Sequence, residues 1–388
     1  MILPDNINTW PVSSVTYSIP YIVMALMVCV VCRRNVFNGH TEISRRQALF
    51  LIVVFLLFFG LRWHIMTDTL VYEEEYYTFV PNFSWNYIEV HSWWWDKGFV
   101  IFAMICKLIT PSFFFFVFVN SLIDILLFSL CVKKYEVNAP IAILAFMAFQ
   151  GLLMEINTMR NIKAILLFVY SISYIEEKRL WKYVVINALG FTFHSSALLF
   201  FPMYWLLNRK YSKKYLYPIL AFFTIIYLAN INLIQDYMMS ITFSDDPAAR
   251  KLSNYLETSE ESSLSLGFIE RVVTLLLCLY IYPNIKKNDK GILIFINSYY
   301  MFYILYAIFG FNFVFRDRIP YLFIASYWFL YPYLFKQLSK RKVYSYLFLI
   351  VFGGKIFLST HICSAYYETS LFHETTRAQR GILNEKSE

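Results

Sequence analysis

The sequence predicts an all-α fold, a polytopic transmembrane helical bundle of about twelve spans with a re-entrant helix and a broken helical hairpin. Three observations carry this. Of 388 residues, 59% are hydrophobic and only 15% charged, with a mean hydropathy of +0.52, whereas an ordinary globular domain is about 25% charged. The apolar residues run in long blocks such as 48–61, 112–132 and 343–353, without the alternation of barrel strands. The basic residues gather in short loops between these blocks, where they set topology. With 39 Phe and 31 Tyr against 11 Gly and 12 Pro, collagen-like, linker-like and disordered chains are excluded.

In chain order the apolar spans are 17–32, 48–61, 113–132, 139–156, 161–175, 181–193, 195–207, 215–234, 267–284, 291–311, 319–335 and 343–360, one integral membrane domain over 1–388. No small-residue cleavage site follows the first block near Tyr17, so no secretory signal is expected. The first basic loop holds Arg33, Arg34, Arg45 and Arg46. Five more hold Lys133–Lys134, Lys178–Arg179–Lys182, Arg209–Lys210–Lys213–Lys214, Lys286–Lys287–Lys290 and Lys336–Lys340–Arg341–Lys342. Together they carry 20 of the 34 Lys and Arg but five of the 26 acids, which places all six in the cytoplasm. The formal charge of +8 is thereby absorbed by topology, and nucleic acid is not expected as a partner.

This assignment dictates two irregular elements. An odd number of crossings must connect the outer loop 62–98 to Lys133, yet 99–132 holds two apolar runs broken at Thr110–Pro111. The run 99–110 is ~18 Å long as a helix, short of a ~30 Å hydrocarbon core, and reads as re-entrant or interfacial. The segment 181–207 has basic flanks at both ends, so it must climb, turn at His194–Ser195–Ser196 and return. The competing reading is one straight span over 183–206. Broken half-helices are where membrane transporters and lipid-processing enzymes place sites. The outer loops 62–98 and 235–266 are long, and the polar tail 361–388 is expected outside and partly disordered.

Ionisable residues then converge on the outer face. Arg62 ends its helix after Gly60–Leu61, and Asp68 and Thr69 follow in a position to cap a short helix. Tyr72 and Tyr76 share the Asp68 face at four-residue spacing, and Glu73–Glu75 read as a solvated face. Arg160 sits in an outer turn, His194 at the hairpin tip, and Arg316, Asp317 and Arg318 at the outer start of a late span. For a single Arg, helix-end snorkelling is a sufficient account. Four Arg and a His on the face the positive-inside rule disfavours point to function. Arg forks bind phosphate oxygens bidentately at fixed charge, so a lipid-linked phosphate or diphosphate is the natural ligand. Trp93, Trp94 and Trp95 form an interfacial belt or, with Tyr72, a sugar-stacking platform. Six Cys include a lone Cys29–Cys32 pair at the end of an apolar helix, which reads as packing. His64, His91, Asp68 and Asp96 lack repeated ligand spacing, so no metal and no cofactor are expected.

These motifs resemble, over about residues 45–335, the EpsG-type polysaccharide polymerases, relatives of the Wzy O-antigen polymerases. A helix ending G-x-R, followed by G-T-D and spaced Tyr, is matched by Gly60-Leu61-Arg62, Met66-Thr67-Asp68-Thr69 and Tyr72. E-P-G-F is matched by Asp96-Lys97-Gly98-Phe99, and R-Q before Ala by Arg160-Asn161-Ile162-Lys163-Ala164. F-H-x-S-A is matched by Phe193-His194-Ser195-Ser196-Ala197, and a late R-I by Arg318-Ile319. Met66 stands where the pattern has Gly, Asp96-Lys97 where it has Glu-Pro, and Asn161 where it has Gln. The resemblance implies a GT-C-like helical fold and an undecaprenyl-diphosphate-linked oligosaccharide as substrate at the outer leaflet of a bacterial inner membrane. It also implies metal-independent, inverting glycosyl transfer, beside a flippase and a chain-length regulator, with an O-antigen, capsule or exopolysaccharide as product. Arg62, Arg160 and Arg316 or Arg318 would then stabilise the leaving diphosphate. His194 or Asp68 would take the acceptor's proton.

Rival readings are a related ligase or glycosyltransferase using the same donor, a lipid-linked-oligosaccharide flippase, and a membrane acyltransferase built on His194. The absence of an internal repeat disfavours the flippase. The Arg cluster has no role with an acyltransferase's thioester donor.

Overall fold

The computed structural model describes residues 7–81, 95–231, 265–285, 291–310, 312–338 and 342–387. Among these residues the chain is helical, with isolated bridges such as Ser13 with Ile362 and Arg62 with Thr369. It divides into two compact units, Met1–Phe201 with Tyr331–Glu388, and Pro202–Leu330.

The first unit opens with α1 (Val15–Val31), whose N-cap Ser14 accepts from the Thr16 N–H, then the short α2 (Arg33–Asn38). Ser44 and Gln47 close a capping box on α3 (Arg45–Phe55). α4 (Asp68–Thr78) and α5 (Lys97–Ile109) are short. The long α6 (Phe113–Tyr135) starts at N-cap Ser112 and stops where Glu136 turns left-handed. α7 (Ala139–Ala148) and α8 (Gly151–Asn157) are bent by 69°. Gln150, with φ 62°, supplies the break. α9 (Asn161–Glu176) and α10 (Leu180–Phe193) pack side by side, with Gly190 lying against Ala164. The second unit holds α11 (Met203–Leu206), α12 (Lys213–Leu228), α13 (Leu266–Ile281), α14 (Ile292–Ile308) and α15 (Phe313–Arg316). α16 (Ala325–Leu338) leads back to the first unit, which ends with α17 (Lys342–Thr360) and α18 (Arg377–Glu385).

Among the described residues the helices differ in length and apolarity. Two helices, Phe113–Tyr135 and Leu266–Asn284, are long and apolar enough to cross a membrane, and the bent α7–α8 pair would make a third. The other apolar helices, such as Val15–Val31 and Ile292–Ile308, are shorter. Hydropathy marks apolar runs, whereas caps, prolines and left-handed residues such as Gln150 set where each helix stops.

Three of the predicted basic loops do gather at one end of the first unit. The Asn138 amide, beyond Lys133–Lys134, donates to the Asn35 and His40 carbonyls at 2.9 and 3.0 Å. Lys134 lies over the Tyr170 and Tyr174 rings, and Lys182 also reaches Tyr174. The opposite end of α9 carries Arg160.

The tail, expected to be partly disordered, is ordered through 387. Trp63 N–H donates to the Glu368 carbonyl, Met66 N–H to Ser364, and Ser370 N–H to Leu61, at 2.7–2.9 Å. Glu368 accepts from the Thr375 hydroxyl and from Arg380 at 2.6 Å, all of them buried. A composition-based reading misses a polar segment that satisfies itself in this way.

Candidate functional site

The site is built around the turn between α8 and α9. The Asn161 and Ile162 N–H groups both donate to the Thr158 carbonyl, at 2.9 and 3.1 Å, a tight turn that leaves Arg160 at the N-cap of α9. The Arg160 side chain is 23% exposed and lies 3.5 Å from Asp96 Oδ2. It also hydrogen-bonds the Tyr72 hydroxyl. Asp96 is the N-cap residue of α5, and its carboxylate accepts from the backbone and hydroxyl of Ser195. Burial holds the Asp96 carboxyl above its ordinary pKa, with Arg160 and Ser195 opposing the shift. One side chain thus joins α5, the Arg160 turn and the hairpin tip.

At that tip the chain reverses. The Tyr183 hydroxyl donates to the Phe200 carbonyl, although seventeen residues of straight helix would separate them by about 25 Å. A straight span over 183–206 is therefore excluded. His194 is extended and acts as N-cap of the following 3₁₀ turn, its Nδ1 accepting the Ser196 N–H at 3.2 Å. The Ser196 hydroxyl lies 2.6 Å from Nδ1 and donates to Asn161 Oδ1 at 3.2 Å. Nδ1 is thus engaged by both the backbone and the hydroxyl of Ser196, which fixes the orientation of the ring. Gly98 lets α5 approach this corner. A Cβ there would lie 2.7 Å from Thr192 Cβ and 2.8 Å from its carbonyl oxygen.

α4 closes the cluster. Tyr72 and Tyr76 are on its buried face, as the four-residue spacing predicts. Asp68 does not cap the helix with its side chain. It is the first helical residue, partly exposed, and accepts from the Thr67 hydroxyl at 3.2 Å. Its charge, with that of Glu75, acts on Tyr72 alongside Arg160. Glu75 is not a freely solvated carboxylate: it accepts from the Trp95 indole, and burial raises its pKa. Trp95 is 3% exposed and packs on Phe99 and Tyr72, so the structure places it in the core of this corner. Trp93 and Trp94 lie outside the described residues, as does His91. Among the described residues no three His, Cys, Asp or Glu converge as metal ligands.

Met66 explains one departure from the family pattern. Its φ of 64° is left-handed, the conformation glycine adopts without cost. The Ser364 carbonyl and the Asn384 amide hold it there, accepting from its N–H and donating to its carbonyl.

Arg62 is elsewhere. It is 1% exposed, and its guanidinium donates to the Phe59 carbonyl at 2.5 Å, to Ser121 at 3.2 Å and to the Glu155 carbonyl at 3.2 Å. A diphosphate would have to break these bonds. Ser121 in turn donates to the Glu155 carboxylate at 2.6 Å. Beside it Lys163 donates to Asn120 Oδ1 at 2.5 Å, Asp124 at 2.9 Å and the Met159 carbonyl at 3.2 Å. No role is assigned from the sequence to Asn120, Ser121, Asp124, Glu155 or Lys163. Their signal was there: polar residues at 120, 121 and 124 interrupt an apolar helix at one-turn spacing, and ionisable groups inside a bilayer protein are costly.

Arg316 and Arg318 belong to the second unit. Arg316 lies 3.3 Å from Asp317, and Arg318 is exposed. That unit buries a further cation, Arg271, whose guanidinium sits 4.0 Å from the Tyr306 ring centroid.

No curated protein and no solved structure matches the chain. The profile of one family, EpsG, matches residues 46–371, a stretch that includes the α4–α5–α9–α10 corner, the interior Arg62 network and both late arginines. This helical membrane protein, with its Arg160–Asp96–Tyr72 cluster beside the His194 turn, belongs to the EpsG family.

Proposed function

We propose that the protein is a polysaccharide polymerase that joins undecaprenyl-diphosphate-linked oligosaccharide repeats by inverting glycosyl transfer. The EpsG family is associated with polysaccharide polymerisation. The observation that carries the reading to a site is the meeting of Arg160, Asp96, Tyr72 and the His194 turn in one corner. An acceptor sugar hydroxyl attacks the anomeric carbon, the bond to the diphosphate oxygen breaks, and the diphosphate leaves with the electron pair. Arg160 stabilises that developing charge. His194, its ring oriented by Ser196, or Asp68 takes the acceptor's proton. Tyr72 and Asp96 orient the Arg160 fork. The corner faces the outside of a bacterial inner membrane, opposite the basic loops. A flippase would deliver the substrate, and a chain-length regulator would act beside the polymerase.

The test is a product assay. Purified protein receives its pathway's lipid-linked repeat in the presence of EDTA. A ladder of longer lipid-linked glycans, lost in Arg160→Ala, is expected. Donor consumption without a ladder would indicate a ligase or single-addition transferase. An intact ladder in both Arg160→Ala and His194→Ala would remove this corner from the mechanism.

A further inference from the structure

At the end of the first unit remote from Arg160, α3, α6 and α7 diverge around a cavity of about 540 Å³. Leu51, Ile52, Phe128 and Ile143 are among its apolar walls, and Lys133 and Glu136 stand with Thr41 and Glu42 among its polar ones. Thr41 and Glu42 also line a second, polar cavity of about 850 Å³ that includes Arg33, Arg34, His40 and Ser44. The two cavities therefore meet at Thr41–Glu42, apolar room on one side and a cationic bay on the other. The Asn35 amide, donating to the His40 and Glu42 carbonyls at 2.8 and 2.7 Å, fixes the loop that joins them.

This pairing has a chemical signature. The apolar cavity falls within the volume range of built ligand sites. The bay has cations in excess: Arg33 and Arg34 against Glu42. Among the described residues no ion pair engages Arg33 or Arg34, and both are exposed. A neutral hydrocarbon would leave the arginines unused, and a free phosphate would leave the apolar cavity unused. Basic pockets between membrane helices on the side of the positive loops are sites for anionic lipid headgroups.

The geometry points to a binding site for one anionic phospholipid of the leaflet that meets the basic loops, with an acyl chain in the apolar cavity and its phosphodiester at Arg33 and Arg34. The inference is independent of the reaction at Arg160, since the cavities are lined by the 31–52 segment, α6 and α7, and the corner is built from α4, α5, α9 and α10. Native mass spectrometry of the full chain, purified in detergent and stripped of lipid, tests it. The probes are dioleoyl phosphatidylglycerol, dioleoyl phosphatidylcholine, glycerol phosphate and undecaprenyl phosphate. One phosphatidylglycerol is expected to be retained, at least tenfold more tightly than the phosphatidylcholine of the same chains. Arg33→Gln/Arg34→Gln, both exposed positions, should abolish that preference. Ala48→Trp, which fills the apolar cavity from a partly exposed position, should abolish retention. Equal retention of both phospholipids, or full retention by Ala48→Trp, would overturn the proposal. So would glycerol phosphate binding as tightly as phosphatidylglycerol, which marks a plain anion bay. Displacement of phosphatidylglycerol by equimolar undecaprenyl phosphate would overturn the assigned occupant.

Discussion

Arg160 is the residue whose loss the proposed chemistry feels most. Its fork reaches Asp96 and Tyr72, and its charge is never lost by deprotonation. Removing one preorganised charge stabiliser costs on the order of 10²–10³ in kcat. Arg160→Lys keeps the charge but not the planar fork, so it should recover less than a tenth of wild-type polymerisation, read as ladder formation under saturating donor. A second residue-scale prediction concerns His64. It is 2% exposed and 3.5 Å from Glu73, a spacing that invites an ion pair. Burial, followed by Arg380 and Arg377, instead lowers its pKa from 6.5 to about 4, so at neutral pH the contact joins a neutral imidazole to a carboxylate held by Arg377 at 2.9 Å. Between about pH 4 and 6.5 the unfolded chain binds the proton that the folded one refuses. Stability should therefore rise with pH across this window. His64→Phe should flatten that part of the thermal-midpoint profile, and an unchanged slope would show that His64 is not the titrating group.

At the scale of elements, the same residues that give the helices their ends give the site its parts. Gly98 is needed because α5 and α10 approach too closely for a side chain. Gly98→Ala should destabilise by about 1–3 kcal/mol, the usual cost of overpacking. Thr192→Ala should relieve it only in part, because the Thr192 carbonyl at 2.8 Å remains. The pair Lys163–Asp124, each 1% exposed, clamps α9 to α6 one turn from Arg160. Lys163→Met strands the Asp124 charge and should cost about 3–5 kcal/mol, whereas Lys163→Met with Asp124→Leu should recover most of that loss. Equal melting temperatures for the single and double variants would mean the ion pair is not coupled. Here the limits of the sequence become physical. The Arg160 turn and the His194 reversal are legible, because a break in an apolar run and a charge beside it are local signals; the pairing of Asp96 with Arg160, 64 residues on, is not. The partner that makes a buried charge tolerable, Asp124 for Lys163 or Glu155 for Arg62, lies 39 or 93 residues away on another helix. No local pattern distinguishes a diphosphate-binding Arg from one buried in an internal network.

For the molecule as a whole, hydropathy and charge sufficed for a helical membrane class and for grouping three basic loops at one end, since both follow from transfer energies that sum over many residues. They did not suffice for span lengths, set by single residues such as Gln150, nor for the tail, whose polar composition reads as solvated. That tail ties distant parts of the chain together. Its backbone meets the 61–66 segment, Arg377 pairs with Glu73 on α4, and Trp63 stacks on His373 at 3.5 Å between centroids. Asp68 and Tyr72 follow directly on the segment so held. Glu368 anchors the arrangement. Burial pushes its carboxyl up, but the Thr375 hydroxyl, Arg380 and the Glu374 N–H outweigh this and hold its pKa below the ordinary value. Its contribution to stability is present above the unfolded carboxylate pKa and lost as pH falls through the lower folded one. Glu368→Gln should reproduce that loss at neutral pH, leaving Arg380, 1% exposed, without its counter-charge. Hydrogen exchange should then accelerate in both 361–387 and 61–66, with polymerisation falling as α4 loosens. Faster exchange confined to the tail would show that the strap does not hold the loop, and that the order of Asp68 and Tyr72 comes from α4's packing on the first unit alone.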